Sequence, residues 1–269
     1  MMKRARNTTA ARETPSAPGR PEARPRLDRF LAVDPEILGL RPGDRLLDVG
    51  CGTGRHTLEA SRWDCRIAAA DLSLLDLLKT RYLLEIMRRR AEVRAGVDFM
   101  VADGFHLPFP DAYFDRVMCT ETLEHVRDDL ALVREMARVL RPGGALAVSV
   151  PDYYSESMLW KLSSRYRSIP GGHLRIYSRQ GVLGLLREGG VRPYAVRFRH
   201  SLESVYWLLA VLSGDDLAQP GPLLGRLRRF LNSVRSRRSS FVNWLDEVGN
   251  YILPKSIVVY GRRLQGASR

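Results

Sequence analysis

Three glycines in the N-terminal half of the chain could form a loop that holds a polar ligand. Gly50, Gly52 and Gly54 follow Asp48 within residues 46–60, whose sequence is LLDVGCGTGRHTLEA. Glycine allows a positive φ and lets a ligand approach the main chain closely. A helix that begins behind such a loop presents unpaired backbone N–H groups to the ligand. The spacing therefore predicts a strand, a ligand-binding loop and a helix, in that order.

A second acidic residue, Asp71, lies 21 residues past Gly50, at the end of the next apolar run. An acid at this place can accept hydrogen bonds from both ribose hydroxyls of a nucleoside. Dinucleotide-binding enzymes share the glycine loop and the distal acid, so these two features alone also fit a nicotinamide-dependent reductase. The loop reads GxGxG, however, and not GxGxxG.

Further motifs follow this loop in order, and together they resemble the class I S-adenosylmethionine-dependent methyltransferases. The segments are residues 46–54, VADG at 101–104, LPF at 107–109 with FDRV at 114–117, TLEHV at 122–126, and REMARVLRPGG at 134–144. The last two are similar to the branch that contains quinone and sterol methyltransferases. The resemblance covers residues 44–151, and a reductase gives no reason for the motifs at 101–144.

The resemblance implies methyl transfer from S-adenosylmethionine and a role for individual residues. The implied cofactor-binding residues are Asp48, Gly50, Cys51, Gly52, Gly54, Asp71, Leu72, Asp103, Gly104, Phe105, Cys119 and Glu121. Asp71 would hold the ribose and Asp103 the adenine amino group. Glu121 could contact the substrate, or its carboxylate could stabilise the start of a helix. No metal ligand is predicted.

Two histidines are the candidates for a catalytic base, which is needed only if the acceptor loses a proton in the transition state. His173 follows a pair of glycines, and His200 lies just past a predicted strand. Imidazole titrates near physiological pH, so either could accept a proton. The alternative is that each histidine has a structural role and forms its hydrogen bonds within a loop. We expect His125 to be a packed or capping residue.

The C-terminal half contains residues that could select the substrate. The aromatic residues Tyr153, Tyr154, Trp160, Tyr206 and Trp207 could line an apolar pocket or pack in the core. The apolar run VYWLLAVL at 205–212 and the six arginines within 226–238 suggest a lid with a basic rim. Such a pair fits a lipid or isoprenoid-like substrate taken from a membrane surface. The alternative is that residues 205–212 form a buried helix and residues 226–238 form a solvent-exposed one.

Short apolar runs that alternate with helical stretches must position these residues. The pattern predicts strands at 45–49, 66–70, 97–101, 114–119, 145–150, 193–199 and 256–260, and helices at 54–62, 74–91, 127–140 and 178–188, with Ser178 as an N-cap. This alternation predicts an α/β fold with a doubly wound, mostly parallel sheet. The resemblance implies a Rossmann-like sheet of seven strands with the last strand antiparallel.

We divide the chain into three regions. Residues 1–26 are predicted to be a disordered basic arm, since they are rich in Pro and Arg and lack aromatic residues. Residues 27–150 are expected to form the S-adenosylmethionine-binding half of a single domain, as the resemblance implies. Residues 151–269 are expected to form the substrate-side half, with helical insertions at 151–177 and 200–254. Insertions of that length are usually functional, so we expect them to select the substrate.

Composition excludes several classes of protein. With 45% hydrophobic and 27% charged residues, the 269-residue chain is typical of a soluble globular protein. No run approaches the roughly 18 apolar residues that span a bilayer, and the N-terminus lacks the apolar core of a secretory signal. The three cysteines share no CxxC spacing. These features predict a cytoplasmic protein.

The net charge of +13 is concentrated in two places, residues 1–26 and 226–238. Such segments could bind nucleic acid or an anionic membrane surface, or could simply be solvated. No Asn-Pro-Pro-Tyr-like motif follows the fourth strand, which argues against a nucleic-acid methyltransferase. The expected acceptor is therefore a small or lipid-like molecule, with a nucleic-acid methyltransferase and a non-catalytic scaffold as alternatives. The acceptor atom and the oligomeric state stay open.

Overall fold

The buried apolar runs form one seven-stranded sheet in the computed structural model, which describes residues 31–168, 172–214, 221–237 and 240–265. The predicted arm at residues 1–26 lies outside these ranges. The strands are β1 (Arg45–Val49), β2 (Arg66–Asp71), β3 (Gly96–Val101), β4 (Phe114–Thr120), β5 (Leu140–Pro151), β6 (Val191–Arg199) and β7 (Ser256–Arg263). Their order across the sheet is β3-β2-β1-β4-β5-β7-β6.

The direction of the strands confirms the predicted sheet. The pairs β1–β2, β1–β4, β2–β3 and β4–β5 are parallel, whereas β7 runs antiparallel to both β5 and β6. In β1, four consecutive residues after Arg45 are buried. A strand of a parallel sheet is covered on both faces, so it reads as a continuous apolar run. The order reverses between β1 and β4, which places a crevice outside the carboxyl ends of these strands.

The described residues also form ten helices. They are α1 (Pro35–Leu38), α2 (Arg55–Ala60), α3 (Leu74–Arg89), α4 (Asp129–Val139), α5 (Tyr153–Leu162), α6 (Ser164–Arg167), α7 (Arg179–Glu188), α8 (Ser201–Leu212), α9 (Pro222–Arg237) and α10 (Ser240–Gly249), with a 3-10 turn at Leu123–His125. Ser178 accepts a hydrogen bond from Gly181 N and caps α7, as predicted. No helix in the described part of the chain is both long and apolar enough to cross a membrane.

The boundaries of β5 differ from the prediction. The strand begins at Leu140 and not at Ala145, because Leu140 already pairs with Phe114 before a register shift toward Arg116. The segment Pro142-Gly143-Gly144 therefore lies within the first part of the strand. Sequence signals for a helix end cannot show that the chain pairs with a neighbouring strand immediately afterwards.

The two insertions are helical and pack against each other. Helices α5 and α6 occupy the first insertion, and α8, α9 and α10 occupy the second. Helix α8 contacts α5, α9 and α10. The insertions follow β5 and β6, whose carboxyl ends lie at the same edge of the sheet as the crevice. The fold thus brings the insertions and the glycine loop to one side of the molecule.

Candidate active site

The glycine loop connects β1 to α2 and adopts a conformation that only glycine takes without strain. Gly52 and Gly54 have φ angles of +51° and +76°. A Cβ on Gly54 would lie 2.0 Å from Thr80 Cγ2, so this position lets the loop pack closely against α3. A Cβ on Gly52 would meet no atom within 4 Å. The loop therefore packs tightly behind Gly54 and leaves open space at Gly52.

Two aspartates face this open space from consecutive strands. Asp71, at the end of β2, accepts hydrogen bonds from Gly52 N through Oδ2 and from Ser73 N through Oδ1, both at 2.7 Å. Asp103, after β3, accepts from Phe105 N at 3.0 Å. Each carboxylate oxygen retains a further lone pair. Backbone bonds thus fix both acids, with capacity left for a ligand that donates hydrogen bonds.

The loop and the two acids enclose a cavity of about 380 Å³, a size typical of small-ligand pockets. Its lining residues are Val49, Gly50, Gly52, Ala70, Asp71, Leu72, Ala102, Asp103, Gly104, Phe105, Glu121, Thr122, His125, Val126 and Leu132. The predicted residues Gly50, Gly52, Asp71, Leu72, Asp103, Gly104, Phe105 and Glu121 are among them. Asp48, Cys51, Gly54 and Cys119 do not line the cavity. His125, expected to be a packed or capping residue, lines it.

Asp48 and the two predicted cysteines are buried next to the cavity and do not line it. Asp48 is 1% exposed and accepts a hydrogen bond from Thr57 Oγ1 at 2.6 Å through Oδ2, while its Oδ1 has no partner among the described residues. Burial, and to a smaller degree the charge of Asp71, raises the pKa of Asp48 to about 7. Burial also raises the pKa of the Cys51 and Cys119 thiols, so neither is a thiolate nucleophile.

Glu121 turns the chain into the cavity at the end of β4. Its φ of +51° is in the left-handed region, which costs a non-glycine residue roughly 1–2 kcal/mol. Ser149 Oγ donates to Glu121 Oε1 at 2.7 Å, and Glu121 N donates to Ser149 O at 2.9 Å. Backbone strain of this kind tends to occur at functional sites. Contacts with β5 therefore hold Glu121 at the edge of the cavity.

His173, one of the two predicted bases, belongs to a buried cluster around Glu156. Glu156 Oε1 lies 2.8 Å from His173 Nδ1, and its Oε2 accepts from Lys255 Nζ at 3.0 Å and from Tyr166 OH at 3.3 Å. Burial alone would raise the pKa of Glu156, but the hydrogen bond from His173 and the charge of Lys255 lower it to about 2. Glu156 is therefore an ionised partner that fixes the His173 ring.

Sequence reasoning missed the partners of His173. Glu156 and Lys255 are 99 residues apart, and both read in the sequence as ordinary surface charges. Glu156 lies on a stretch that mixes polar and apolar residues without a clear stripe, and this pattern does not identify a buried carboxylate. The cluster adjoins the cavity, because the His125 and His173 rings have centroids 5.3 Å apart.

His200, the other predicted base, is buried away from the cavity lining. It is 4% exposed, its φ is +67°, and its carbonyl accepts from Glu203 N at the start of α8. Its Nε2 lies 3.2 Å from Arg55 Nη2. Burial, with the charges of Arg55 and His200, lowers the pKa of the adjacent His56 to about 3. A catalytic role for His200 stays a prediction.

A second cavity, of about 530 Å³, lies between the insertions. Its lining residues are Asp152, Tyr153, Tyr154, Ser178, Arg179, Gln180, Phe198, Asn250, Tyr251, Ile252 and Pro254. Two of the five predicted pocket aromatics, Tyr153 and Tyr154, are therefore in this wall. Tyr251 and Ile252 are 90% and 80% exposed, which makes this rim an apolar surface open to solvent.

The other predicted aromatics pack inside the protein. Trp160 Nε1 donates to Glu156 Oε1 at 3.2 Å, and the Trp207 ring contacts Tyr166. Tyr206 is buried with Leu224 of α9.

The predicted lid is partly a packed helix pair and partly an apolar surface. The face of α8 that carries Tyr206 and Ala210 packs on α9. Other apolar side chains of α8 and α9 are exposed, namely Val205, Leu209, Leu212, Leu223 and Phe230.

Residues 47–148 match the family model described as a methyltransferase domain. The chain is 34% identical over 212 residues to 27-O-demethylrifamycin SV methyltransferase of Amycolatopsis mediterranei, covering 72% of this chain and 74% of that protein. It is 32% identical over 181 residues to a demethylmenaquinone methyltransferase of Beutenbergia cavernae, covering 60% and 71%. Matches to several other curated relatives span 40–46% of their length.

Solved structures show the same fold. The crystal structure of the [4+2]-cyclase SpnF matches with a TM-score of 0.58 and 24% identity, over 86% of this chain and 78% of that one. At this identity the match concerns the architecture of the sheet and its helices.

Proposed function

The chain belongs to the class I S-adenosylmethionine-dependent methyltransferases, and we propose that it methylates a small-molecule acceptor bound between the glycine loop and the two insertions. The observation that carries this proposal is the position of the 380 Å³ cavity beside the insertions, at one edge of the sheet. A cofactor bound in the cavity and an acceptor held by the insertions would meet at the carboxyl ends of β4 and β5.

The residues around the cavity fit S-adenosylmethionine. The space that a Cβ would fill at Gly52 leaves room for a ligand against the main chain. Asp71 would hold the ribose hydroxyls and Asp103 the adenine amino group, because both carboxylates have acceptor capacity to spare. Asp48 does not line the cavity, so its contribution would be to hold α2 behind the loop through the hydrogen bond from Thr57 Oγ1.

When bound, S-adenosylmethionine supplies a methyl group that its sulfonium already activates. The chain then has to align the acceptor and exclude water, and such alignment can contribute about 7–11 kcal/mol. Thr122 and His125 line the cavity beside Glu121, so these residues would face the acceptor. The fold needs no fixed catalytic triad for this task.

The second cavity is the proposed place for the acceptor. Its volume of about 530 Å³ suits a small molecule, and Tyr153, Tyr154, Phe198, Tyr251 and Ile252 give it an apolar wall. This wall supports the finer proposal of a lipid or isoprenoid-like acceptor. The relatives named for demethylrifamycin and demethylmenaquinone support a small-molecule acceptor more generally.

The outer surface of the insertions supports a further part of this proposal, contact with a membrane surface. Exposed apolar residues such as Leu223 and Phe230 lie on α9 together with Arg226, Arg228 and Arg229. A helix with apolar and basic residues can lie in the headgroup region of an anionic membrane. An acceptor dissolved in the membrane would be reached from there.

Thermal unfolding with separate samples of S-adenosylmethionine, S-adenosylhomocysteine, NADH and NADPH is the first test. A ligand at 100 times its dissociation constant stabilises the folded state by about 2.7 kcal/mol. We expect the midpoint to rise with the two adenosyl sulfur compounds only. Transfer of a labelled methyl group is then measured with a lipid extract, a panel of small molecules, RNA and DNA. Labelled nucleic acid, or no labelled product at all, would contradict the proposed acceptor class.

The acceptor site has its own test in Tyr154→Ala, with Tyr82→Ala as the matched control. Tyr154 lines the second cavity, whereas Tyr82 is similarly exposed on α3. We expect Tyr154→Ala to raise the KM for the acceptor at least tenfold and to leave the affinity for S-adenosylhomocysteine unchanged. Equal KM values for the two variants would place the acceptor elsewhere.

A further inference from the structure

Glu124, His125 and His173 form a compact group beside the cofactor cavity, and His125 lines that cavity. Glu124 and His125 lie on the 3-10 turn after β4, and Leu174 N donates to Glu124 O at 2.9 Å, which ties the segment around His173 to this turn. One side-chain oxygen of Glu124 and one nitrogen of each imidazole all lie within 4.8 Å of one another. Small movements of the side chains would bring all three atoms onto a common ion.

Glu124 lacks the partner that a buried carboxylate needs. Its side chain is fully buried, and neither oxygen accepts a hydrogen bond from another residue in the described part of the chain. Oε1 lies 3.9 Å from His125 Nε2, so the carboxylate points toward the histidines. Glu121 adds a second negative charge nearby. Buried carboxylates are normally paired or bound to a metal, and a cation at this place would stabilise both acids.

His173 is held in the way that ligating imidazoles usually are. His173 Nδ1 lies 2.8 Å from Glu156 Oε1, and Lys255 Nζ donates to the other oxygen of the same carboxylate at 3.0 Å. The backbone of Gly172 lies beside the His125 ring. A carboxylate or carbonyl bound to one nitrogen of a histidine fixes the ring and raises the basicity of the other nitrogen.

We propose that Glu124, His125 and His173 bind one divalent transition-metal ion beside the cofactor cavity. Two imidazoles and a carboxylate suit Zn²⁺, Fe²⁺, Co²⁺ or Mn²⁺. Three protein ligands leave coordination positions open, and His125 places them at the cavity wall. His173 is then a metal ligand and not a base, which replaces the sequence-based expectation of no metal ligand.

The ion gives the acceptor site a chemical preference, a statement that rests on the proposed function. A metal ion with open positions binds an oxygen of the acceptor and lowers the pKa of a hydroxyl. The preferred acceptor is therefore a molecule with a hydroxyl or a chelating pair of oxygens. Metal binding by the three side chains does not depend on this role.

Cobalt binding to the full chain, stripped of metal with a chelator, tests the site directly. Co²⁺ is titrated while visible absorption and calorimetry are followed. We expect one equivalent per chain and at least a tenfold weaker affinity in Glu124→Gln and in His173→Ala. His106→Ala is the control, because His106 lies near the same cavity but its side chain is 86% exposed. This control should bind cobalt as the wild type does.

Folding of the variants is checked by their thermal shift with S-adenosylhomocysteine. Glu124→Gln keeps the shape of the side chain and removes a buried charge, so it carries the test if His173→Ala unfolds. A folded Glu124→Gln that binds cobalt with wild-type affinity overturns the proposal, as does loss of the cobalt site in His106→Ala. A failure of the proposed methyl transfer can be distinguished from a failure of the metal site, because the cobalt titration needs no acceptor and no turnover.

Discussion

Asp71 couples the glycine loop to the proposed ligand site at the scale of single residues. One carboxylate oxygen accepts from Gly52 N and the other from Ser73 N, so the acid both shapes the loop and faces the cavity. Asp103 does the same for the loop after β3 through Phe105 N. An aspartate that made only these backbone hydrogen bonds would have a structural role. Asp71 and Asp103, however, also line the same cavity.

Replacing Asp71 by alanine should weaken the binding of S-adenosylhomocysteine by roughly 1.5–3 kcal/mol, because at least one charge-assisted hydrogen bond to the ribose is lost. Calorimetry measures the affinity directly. Asp98→Ala is the matched control, since Asp98 is an exposed acid on β3. Unchanged affinity in Asp71→Ala would show that the ribose lies elsewhere.

At the scale of elements, the glycines of the loop between β1 and α2 differ in their surroundings, since Gly50 and Gly54 are closely packed and Gly52 borders open space. Gly54 lies against Thr80 of α3, and Gly52 borders the cavity. The same substitution should therefore damage folding at one position and ligand binding at the other.

Gly54→Ala should lower the unfolding midpoint more than Gly52→Ala. Both variants pay about 1–2 kcal/mol for a left-handed alanine, and overpacking against Thr80 adds about 1–3 kcal/mol in Gly54→Ala only. Gly52→Ala should instead lose at least tenfold in affinity for S-adenosylhomocysteine, because its Cβ enters the ligand space. Thermal unfolding and calorimetry measure the two effects. The reverse order of midpoints would contradict the packing argument.

At the scale of the whole molecule, the ion pair of Glu156 and Lys255 joins the first insertion to the start of β7. Lys255 N also donates to Arg199 O at the end of β6, and its carbonyl accepts from Asp152 N. The pair is buried, so its charges depend on each other for stabilisation. It thus connects the insertions to the edge of the sheet.

Glu156→Gln should destabilise the protein by about 3–5 kcal/mol at pH 7, because it leaves the charge of Lys255 buried and unpaired. Denaturant unfolding gives the free energy. Glu85→Gln is the control, because Glu85 forms an exposed pair with Arg89 that contributes less than about 1 kcal/mol. Comparable losses in the two variants would mean that the pair is not buried in solution.

The same variant has a defined pH dependence. The pKa of Glu156 is lowered from 4.5 to about 2, so its carboxylate contributes stability that is complete above pH 4.5 and is lost as the pH falls toward 2. The stability difference between wild type and Glu156→Gln should therefore be constant above pH 5 and smaller at pH 3.5. A difference that grows on acidification would contradict the assigned charge state.

The sequence by itself determined the parts of the molecule that depend on short stretches of chain. Buried parallel strands are continuous apolar runs, and a glycine loop with an acid after the next strand has a local signature. This is why the sheet and the acids Asp71 and Asp103 were predicted, and both acids lie at one cavity.

Only the tertiary structure decided what surrounds the other side of that cavity. The bounds of helix α5 within the predicted helical insertion at 151–177 could not be predicted, because its buried face includes the polar residues Ser155 and Glu156 beside Leu159, which leaves no apolar stripe to detect. The partners of His173 come from segments up to 99 residues apart. The sequence does not distinguish a charged residue that is buried from one that is exposed to solvent. Burial and long-range pairing are properties of the folded chain, so the Glu156 cluster and the group around Glu124 emerge only when the insertions pack on the sheet.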